Sequence, residues 1–221
     1  MTQELFGVYG AAGHGRDIMP VARQNLAQRG IAADRLVFID DAPGGAEIVN
    51  SQRVMTYVEF LAAPASRRHA ALAIADGGIR ARLAAKLTGD GVDSFGVSAS
   101  NVVIMDDVAI GEGALLSPFV TLTSNIRIGR FFHANMYSYV AHDCTIGDFV
   151  TFGPAAKCNG NIVIEDYAYV GSGAVIKQGR PGAPLVIGRG AIVGMGAVVT
   201  RSVPPGATVV GNPAREMRRP V

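Results

Sequence analysis

Along the second half of the chain an apolar or small residue returns at every sixth position: Ile110, Leu116, Leu122, Ile128, Ala134, Val140, Ile146, Phe152, Cys158, Ile164, Val170 and Ile176. Four positions after the beat runs a second register of mostly small or β-branched residues: Ala114, Val120, Ile126, Ser138, Cys144, Val150, Ala156, Ile162, Ala168 and Ala174. The place directly after the beat is often glycine, as at Gly111, Gly129, Gly147, Gly153 and Gly171. A strict hexapeptide period predicts a parallel β-helix, in which each repeat forms one short strand, three repeats make a triangular coil, and coils stack into a prism. Ile104 already keeps the beat. It misses once, because Gly182 stands six places after Ile176, and Ile187 takes it up instead, followed by Val193 and Val199. The intervening Gln178–Pro184 reads as a Gly/Pro loop expelled from the prism, and insertions of this kind often build a solenoid's binding face. Pro204-Pro205 ends the pattern.

The residues before Ser98 do not repeat and alternate strand-like with helix-like composition. Leu5 to Tyr9 is expected as a first strand, Arg16 to Gln28 as a helix in which Pro20 is tolerable only near the first turn, and Leu36 to Ile39 as a second strand ending in Asp40-Asp41. A loop, Ala42-Pro43-Gly44-Gly45, follows. Ala70 to Ala75 is expected as a third strand, entered by a solvated His69 and ending in Asp76-Gly77-Gly78, with helix composition from Ile79 to Leu87. This alternation implies a small parallel sheet. The expected organisation is a small α/β, Rossmann-like N-terminal domain over 1–97 and a β-helix domain with a C-terminal tail over 98–221.

Composition changes this picture little. With 49% hydrophobic and 17% charged residues the chain is globular rather than disordered. A net charge of +2 is too small to argue for nucleic acid, and the Arg215, Arg218, Arg219 cluster reads as a solvated tail. No run approaches the ~18 apolar residues of a membrane span. Met1-Thr2-Gln3-Glu4 lacks the basic start and long apolar core of an export signal, so a cytoplasmic location is expected. Cys144 and Cys158 fall on the inward registers and read as buried thiols. Neither these cysteines nor His14, His69, His133 and His142 have metal-ligand spacing, and no metal is expected.

The candidate chemistry centres on Val140-Ala141-His142-Asp143-Cys144. With Val140 and Cys144 inward, His142 and Asp143 fall at a corner and project outward. The eighteen-residue coil period places Ser124 and Asn125 one coil below and Gly160 and Asn161 one coil above. An imidazole can take a proton as an amine or hydroxyl attacks a thioester. A neighbouring carboxylate can fix its tautomer, and the Gly160 N–H could meet the oxyanion. A solvated corner histidine beside an aspartate fits the same residues. His133, beside Phe131 and Phe132, reads as structural, at a coil corner or between subunits. Tyr137 and Tyr139 flank the inward Ser138 and face outward, as subunit interface or cofactor wall. In the first domain, Gly10-x-x-Gly13-x-Gly15 follows a strand and opens a helix. Its backbone N–H groups could approach a phosphate at the helix N-terminus, or the glycines could simply make a tight turn. The spacing is not Gly-x-Gly-x-x-Gly, which argues against a dinucleotide-dependent oxidoreductase. Asp40 or Asp41 could accept from a ribose or base, and Asp76-Gly77 ends a strand on the same edge. His14 either touches such a ligand or packs at the turn.

Taken together, Tyr9-Gly10-Ala11-Ala12-Gly13-His14-Gly15-Arg16, Phe38-Ile39-Asp40-Asp41, Ala141-His142-Asp143-Cys144-Thr145-Ile146-Gly147-Asp148 and Lys157-Cys158-Asn159-Gly160-Asn161 resemble the sugar acetyltransferase family. That family contains acetyl-CoA-dependent N-acetyltransferases of nucleotide-linked 4-amino-4,6-dideoxy sugars and the sialic acid O-acetyltransferases. The likeness is greatest to enzymes acting on GDP-perosamine and the related bacillosamine precursor. It implies a left-handed coil and a homotrimer with active sites between adjacent prisms. It implies a nucleotide-sugar site in the first domain, formed by Gly10, Gly13, His14, Gly15, Arg16, Asp40, Asp41, Asp76 and Gly77. His142 would be the general base and Asp143 its acidic partner. Acetyl-CoA would lie along the prism near Asn159, Gly160, Gly171, Gly173, Lys177 and Gly194. Some members carry a second histidine where this chain has Thr151, so a single base is expected. The reading is direct N-acetylation of a sugar amine for surface polysaccharide assembly, without an acetyl-cysteine intermediate. O-acetylation of a sugar hydroxyl is the alternative. A non-catalytic or metal-binding prism is a further rival, although the stack of His142 supplies no second ligand.

Overall fold

The computed structural model describes residues 4–42 and 47–217. Pro43, Gly44 and Gly45 of the expected loop, the first three residues, and Arg218 and Arg219 lie outside the described residues. The chain divides into two compact units, Met1–Ser98 and Ala99–Val221.

In the first unit the elements are β1 (Leu5–Tyr9), α1 (Gly13–Gln28), β2 (Leu36–Ile39), β3 (Ile48–Val49), β4 (Gln52–Met55), α2 (Tyr57–Ala62), β5 (Arg68–Leu72), α3 (Gly77–Gly89) and β6 (Asp93–Ser94). They form one sheet in the order β3-β4-β2-β1-β5-β6, parallel except for β3 against β4. β1 is apolar throughout and buried along its whole length, as a central parallel strand must be. The third strand starts two residues earlier than the apolar run suggests. It pairs Leu5 with Arg68 through Tyr9 with Leu72, so it is as long as its partner. The expected solvated His69 is therefore wrong: it lies within the strand with only 12% of its side chain exposed, and its ring stacks on Phe6 at 4.5 Å. Pro20 stands in the middle of α1 rather than near its start, because the helix begins at Gly13, and the residue is exposed. β4 and α2 were not anticipated. The signal for α2 was present in Thr56-Tyr57-Val58-Glu59, which forms a reciprocal capping box.

The second unit is a three-sided stack of short parallel strands. One wall contains Leu115–Leu116, His133–Ala134, Thr151–Phe152, Tyr169–Val170, Ile192–Val193 and Thr208–Val210. A second contains Val103–Ile104, Thr121–Leu122, Tyr139–Val140, Lys157–Cys158, Val175–Ile176 and Val198–Val199. The third contains Val108–Ile110, Ile126–Ile128, Cys144–Ile146, Ile162–Ile164 and Leu185–Ile187. Thr121 pairs with Tyr139 and Tyr139 with Lys157, so one coil is eighteen residues. Ile164 pairs instead with Ile187, and the surplus leaves as the Gly/Pro loop, with Arg180 and Ala183 bridged across it. From Leu116 to Ile176 every residue on the beat is buried, and so is the second register from Ala114 to Ala174. Ile104 is half exposed because it lies on a terminal strand of its wall.

What turns the corners is invisible in the apolar pattern. Asp107, Gly113, Phe119, Asn125, Phe131, Tyr137, Asp143, Phe149, Ala155, Asn161, Tyr167 and Gly173 all have left-handed backbone, with φ from 52° to 69°. That conformation costs a non-glycine residue roughly 1–2 kcal/mol. It is offset by stacking: from Asn125 to Gly173 each of these residues donates its N–H to a carbonyl one coil below, at 2.7–3.3 Å. The glycines after the beat have another cause. A Cβ on Gly111, Gly129, Gly147, Gly153 or Gly171 would stand 2.6–2.7 Å from a backbone nitrogen of the next coil.

Candidate active site

The three corners carry three different ladders. Phe131, Phe149 and Tyr167 stack in sequence at 5.2 and 5.4 Å. Phe119 stacks on Tyr137 at 4.9 Å, and both are more than half exposed. The third corner is polar, with Asp107, Asn125, Asp143 and Asn161 in successive coils.

His142 precedes Asp143 on that polar corner. Its Nδ1 lies 2.7 Å from Asp143 Oδ2, and 59% of its side chain is exposed. The hydrogen bonds from His142 and from Asn125 hold the Asp143 carboxyl below its ordinary range. The ionised Asp143 can only accept, so in the neutral form of His142 the proton belongs on Nδ1 and the lone pair on Nε2. Gly160 lies directly across the ring. A Cβ there would stand 2.5 Å from Cε1 and 2.6 Å from Nε2 of His142. Only glycine lets this coil close on the imidazole. Asn159, beside Gly160, accepts from Tyr139 Oη at 2.7 Å and donates to the Ile176 carbonyl at 2.8 Å. Both cysteines are buried inside the prism, as expected, and the Cys144 thiol lies under this corner, 3.2 Å from the Asn159 carbonyl. A hydrogen bond that the Cys158 thiol donates to Cys144, together with burial, holds Cys158 well above its ordinary value.

Lys177 continues this edge one coil beyond Asn159 and lines a cavity of about 390 Å³ with Arg180, Pro184 and Arg201, under the expelled loop. Gly171, Gly173 and Gly194 lie along the other edge of the wall that carries Tyr139, Lys157 and Val175. The six residues expected near acetyl-CoA thus flank one wall from two sides. Tyr137 is exposed, whereas Tyr139 is half-buried. His133 is not at a corner: it sits inside a strand, wholly buried, in register with Leu115 and Thr151, which are buried too. Among the described residues no group of three or more His, Cys, Asp or Glu side chains could hold a metal ion. No helix among them is long and apolar enough to cross a membrane.

In the first unit, Gly10 to Arg16 follow β1, Asp40-Asp41 follow β2 and Asp76-Gly77 follow β5, three neighbouring strands ending on one edge. Gly10 has φ +103°, and a Cβ on Gly15 would collide with the Gly10 carbonyl oxygen, whereas Gly13 borders open space. Asp40 is engaged by the Ala11 and Ala42 N–H groups, and Asp41 by Tyr57 N–H and Tyr9 Oη. Both carboxylates shape the loops around the edge. Asp76 caps α3 through the Ile79 N–H at 2.7 Å. Burial lowers the His14 imidazole pKa, with Asp17 opposing it. One residue escaped the sequence reading. Arg80, wholly buried on α3, donates to the Ile74 and Ala75 carbonyls at 2.7 and 3.1 Å just beyond β5. Burial pulls its guanidinium down to about 10. Its signal was a charge on the buried stripe with Ala84 and Leu87.

No protein-family model matches the chain. The chain is 54% identical over 215 residues to the GDP-perosamine N-acetyltransferase of Escherichia coli O157:H7, covering 97% of each protein. The chain belongs to the sugar acetyltransferase family. WeeI from Acinetobacter baumannii AYE shares 56% identity with this acetyltransferase and superposes with a TM-score of 0.94 over 97% of this chain and all of its own. The acetyltransferase domain of PglB from Neisseria gonorrhoeae FA1090, in complex with acetyl coenzyme A, is 25% identical, with a TM-score of 0.84 over 98% of this chain and all of that one.

Proposed function

We propose that this acetyltransferase moves the acetyl group of acetyl-CoA onto the 4-amino group of GDP-perosamine, with His142 as general base. One observation carries the chemistry: an exposed imidazole whose Nδ1 is tied to Asp143 at 2.7 Å while Gly160 closes on the ring. The relatives just described support this choice of acceptor and donor. In the proposed step the amine nitrogen attacks the thioester carbonyl and an N–C bond forms. The amine proton passes to Nε2 of His142, the C–S bond breaks, and the imidazolium returns that proton to the sulfur, so that CoA leaves as the thiol and the base is restored. Asp143 stabilises the imidazolium, and the Gly160 N–H is the assigned oxyanion donor. Both thiols are buried, so neither cysteine is assigned as an acetyl carrier and the proposed transfer is direct.

The basic cavity of Lys177, Arg180 and Arg201 suits the phosphates of CoA. The edge that follows β1, β2 and β5, where α1 and α3 both begin, suits a nucleotide diphosphate. We further propose a left-handed coil, a division of labour between 1–97 and 98–221, and a homotrimer in which the exposed Phe119–Tyr137 stack is covered by a second copy. Sedimentation at micromolar concentration checks the last point, and a monomer would reject it.

The deciding experiment is His142→Ala and His142→Asn assayed with acetyl-CoA and GDP-perosamine. Turnover near that of the parent enzyme would remove His142 as base. Alkali-stable product identifies an amide, and alkali-labile product would make the enzyme an O-acetyltransferase.

A further inference from the structure

We propose that Asn125 is a positioning residue for the His142–Asp143 pair, acting from one coil below to fix the Asp143 carboxylate so that its other oxygen is kept for the imidazole. This rests on the reading of His142 as base. Asn125 Nδ2 donates to Asp143 Oδ1 at 3.1 Å, and Asp143 Oδ2 meets His142 Nδ1 at 2.7 Å. The two carboxylate oxygens are thus divided between two partners. A bond between two exposed side chains holds little by itself. A carboxylate held at both oxygens loses most of its freedom to swing away from the imidazole. Three successive coils cooperate at the ring: Asn125 below, the His-Asp pair between, and Gly160 above.

The charged and titratable groups around this corner are Asp143, the Cys144 thiol inside the prism, and Asp107 at the foot of the ladder. Asp107 is held by a two-pronged pair with Arg127 at 2.9 and 3.0 Å. Asn125 is therefore a neutral amide between two carboxylates. An aspartate could occupy the same backbone, since Asp143 does so with almost the same φ. It would place like charges in register and could not donate to Asp143.

Two variants separate this role from a merely structural one. Asn125→Gly suits the left-handed backbone and removes the amide, and Asn125→Asp keeps the shape and adds a charge. Each is assayed for kcat and KM with acetyl-CoA and GDP-perosamine from about pH 5.5 to 9, alongside its melting temperature. Asn125→Gly is expected to lose about 3- to 10-fold in kcat, an effect of the size of one lost polar contact, with both KM values and the melting temperature held. Asn125→Asp is expected to move the acidic limb of the kcat profile upward by about half a pH unit or more, because added negative charge favours the imidazolium. Parent-like kcat in Asn125→Gly with an unmoved limb in Asn125→Asp overturns the proposal. So does a fall in melting temperature at unchanged kcat. His142→Ala is run beside them. If it keeps turnover, the base assignment fails and takes this inference with it. If it is inactive while both Asn125 variants match the parent, the role of Asn125 alone is lost.

Discussion

Two corners of the prism share a backbone and differ in everything attached to it. At Asn125, Asp143 and Asn161, as at Phe131, Phe149 and Tyr167, the chain turns through left-handed φ between 54° and 62° and donates one N–H to the coil below. The aromatic corner uses its rungs to bury surface, with Phe131 and Phe149 at most 5% exposed. The polar corner leaves Asn125 and Asp143 exposed and joins these two rungs by a hydrogen bond. The backbone of a solenoid corner is thus paid for by stacking alone, and the side chain is free either to stabilise or to react. On the proposed function, stability and chemistry sit on the same scaffold at different angles around its axis.

Substitutions test that separation, and the largest effect is expected at the polar corner. His142→Ala should lower kcat by about 10²- to 10⁴-fold, the range for loss of a general base, while circular dichroism melting stays within a degree or two of the parent. The mirror image is Phe149→Ala. Removing a buried ring stacked on both faces should cost about 3–5 kcal/mol in denaturant unfolding, with kcat per folded molecule unchanged. A large loss of kcat there would show that the corners are coupled. Gly160→Ala should fall between, because its methyl pushes the imidazole aside. A displacement of that kind costs about 10- to 100-fold in kcat, with little change in melting. Lys177→Ala combined with Arg201→Ala should raise KM for acetyl-CoA about 10-fold, leaving KM for the sugar nucleotide in place. The smallest effect concerns acid. The Asp143 carboxyl titrates lower in the folded chain than in the unfolded one, so its stabilisation is present above the ordinary carboxylate value and fades as pH falls through the lower folded value. Asp143→Asn should therefore flatten the melting-temperature profile slightly below about pH 4, and an identical acid slope in both proteins would contradict the assigned hydrogen bonds.

Much of this was legible before any coordinates. The beat from Leu116 to Ile176 predicted which residues are buried. The gap after Ile176 located the expelled loop, and the eighteen-residue period put Asn125 and Gly160 beside His142–Asp143. In the first unit the reading was coarser. β1 and β2 were found to the residue because their apolar runs are continuous. β4 and α2 were missed because Gln52–Met55 and Tyr57–Ala62 are too short to display a period, and His69 was misplaced because strand length is set by the partner strand. His133 was read as structural, at a corner or between subunits, for want of any mark distinguishing its buried wall from an exposed one.

By itself the sequence determined the strand period and its interior, because inward and outward positions repeat within six residues and a local pattern suffices to specify them. It also put His142 next to Asp143, since adjacency is covalent. Tertiary structure decided that Gly160 closes on the imidazole, that Asn125 takes one oxygen of Asp143 and leaves the other, and that Phe and Tyr tolerate left-handed corners. Each of these depends on a contact between residues one coil apart, which comes into being only when the coils stack and each supplies the hydrogen bonds its neighbour lacks.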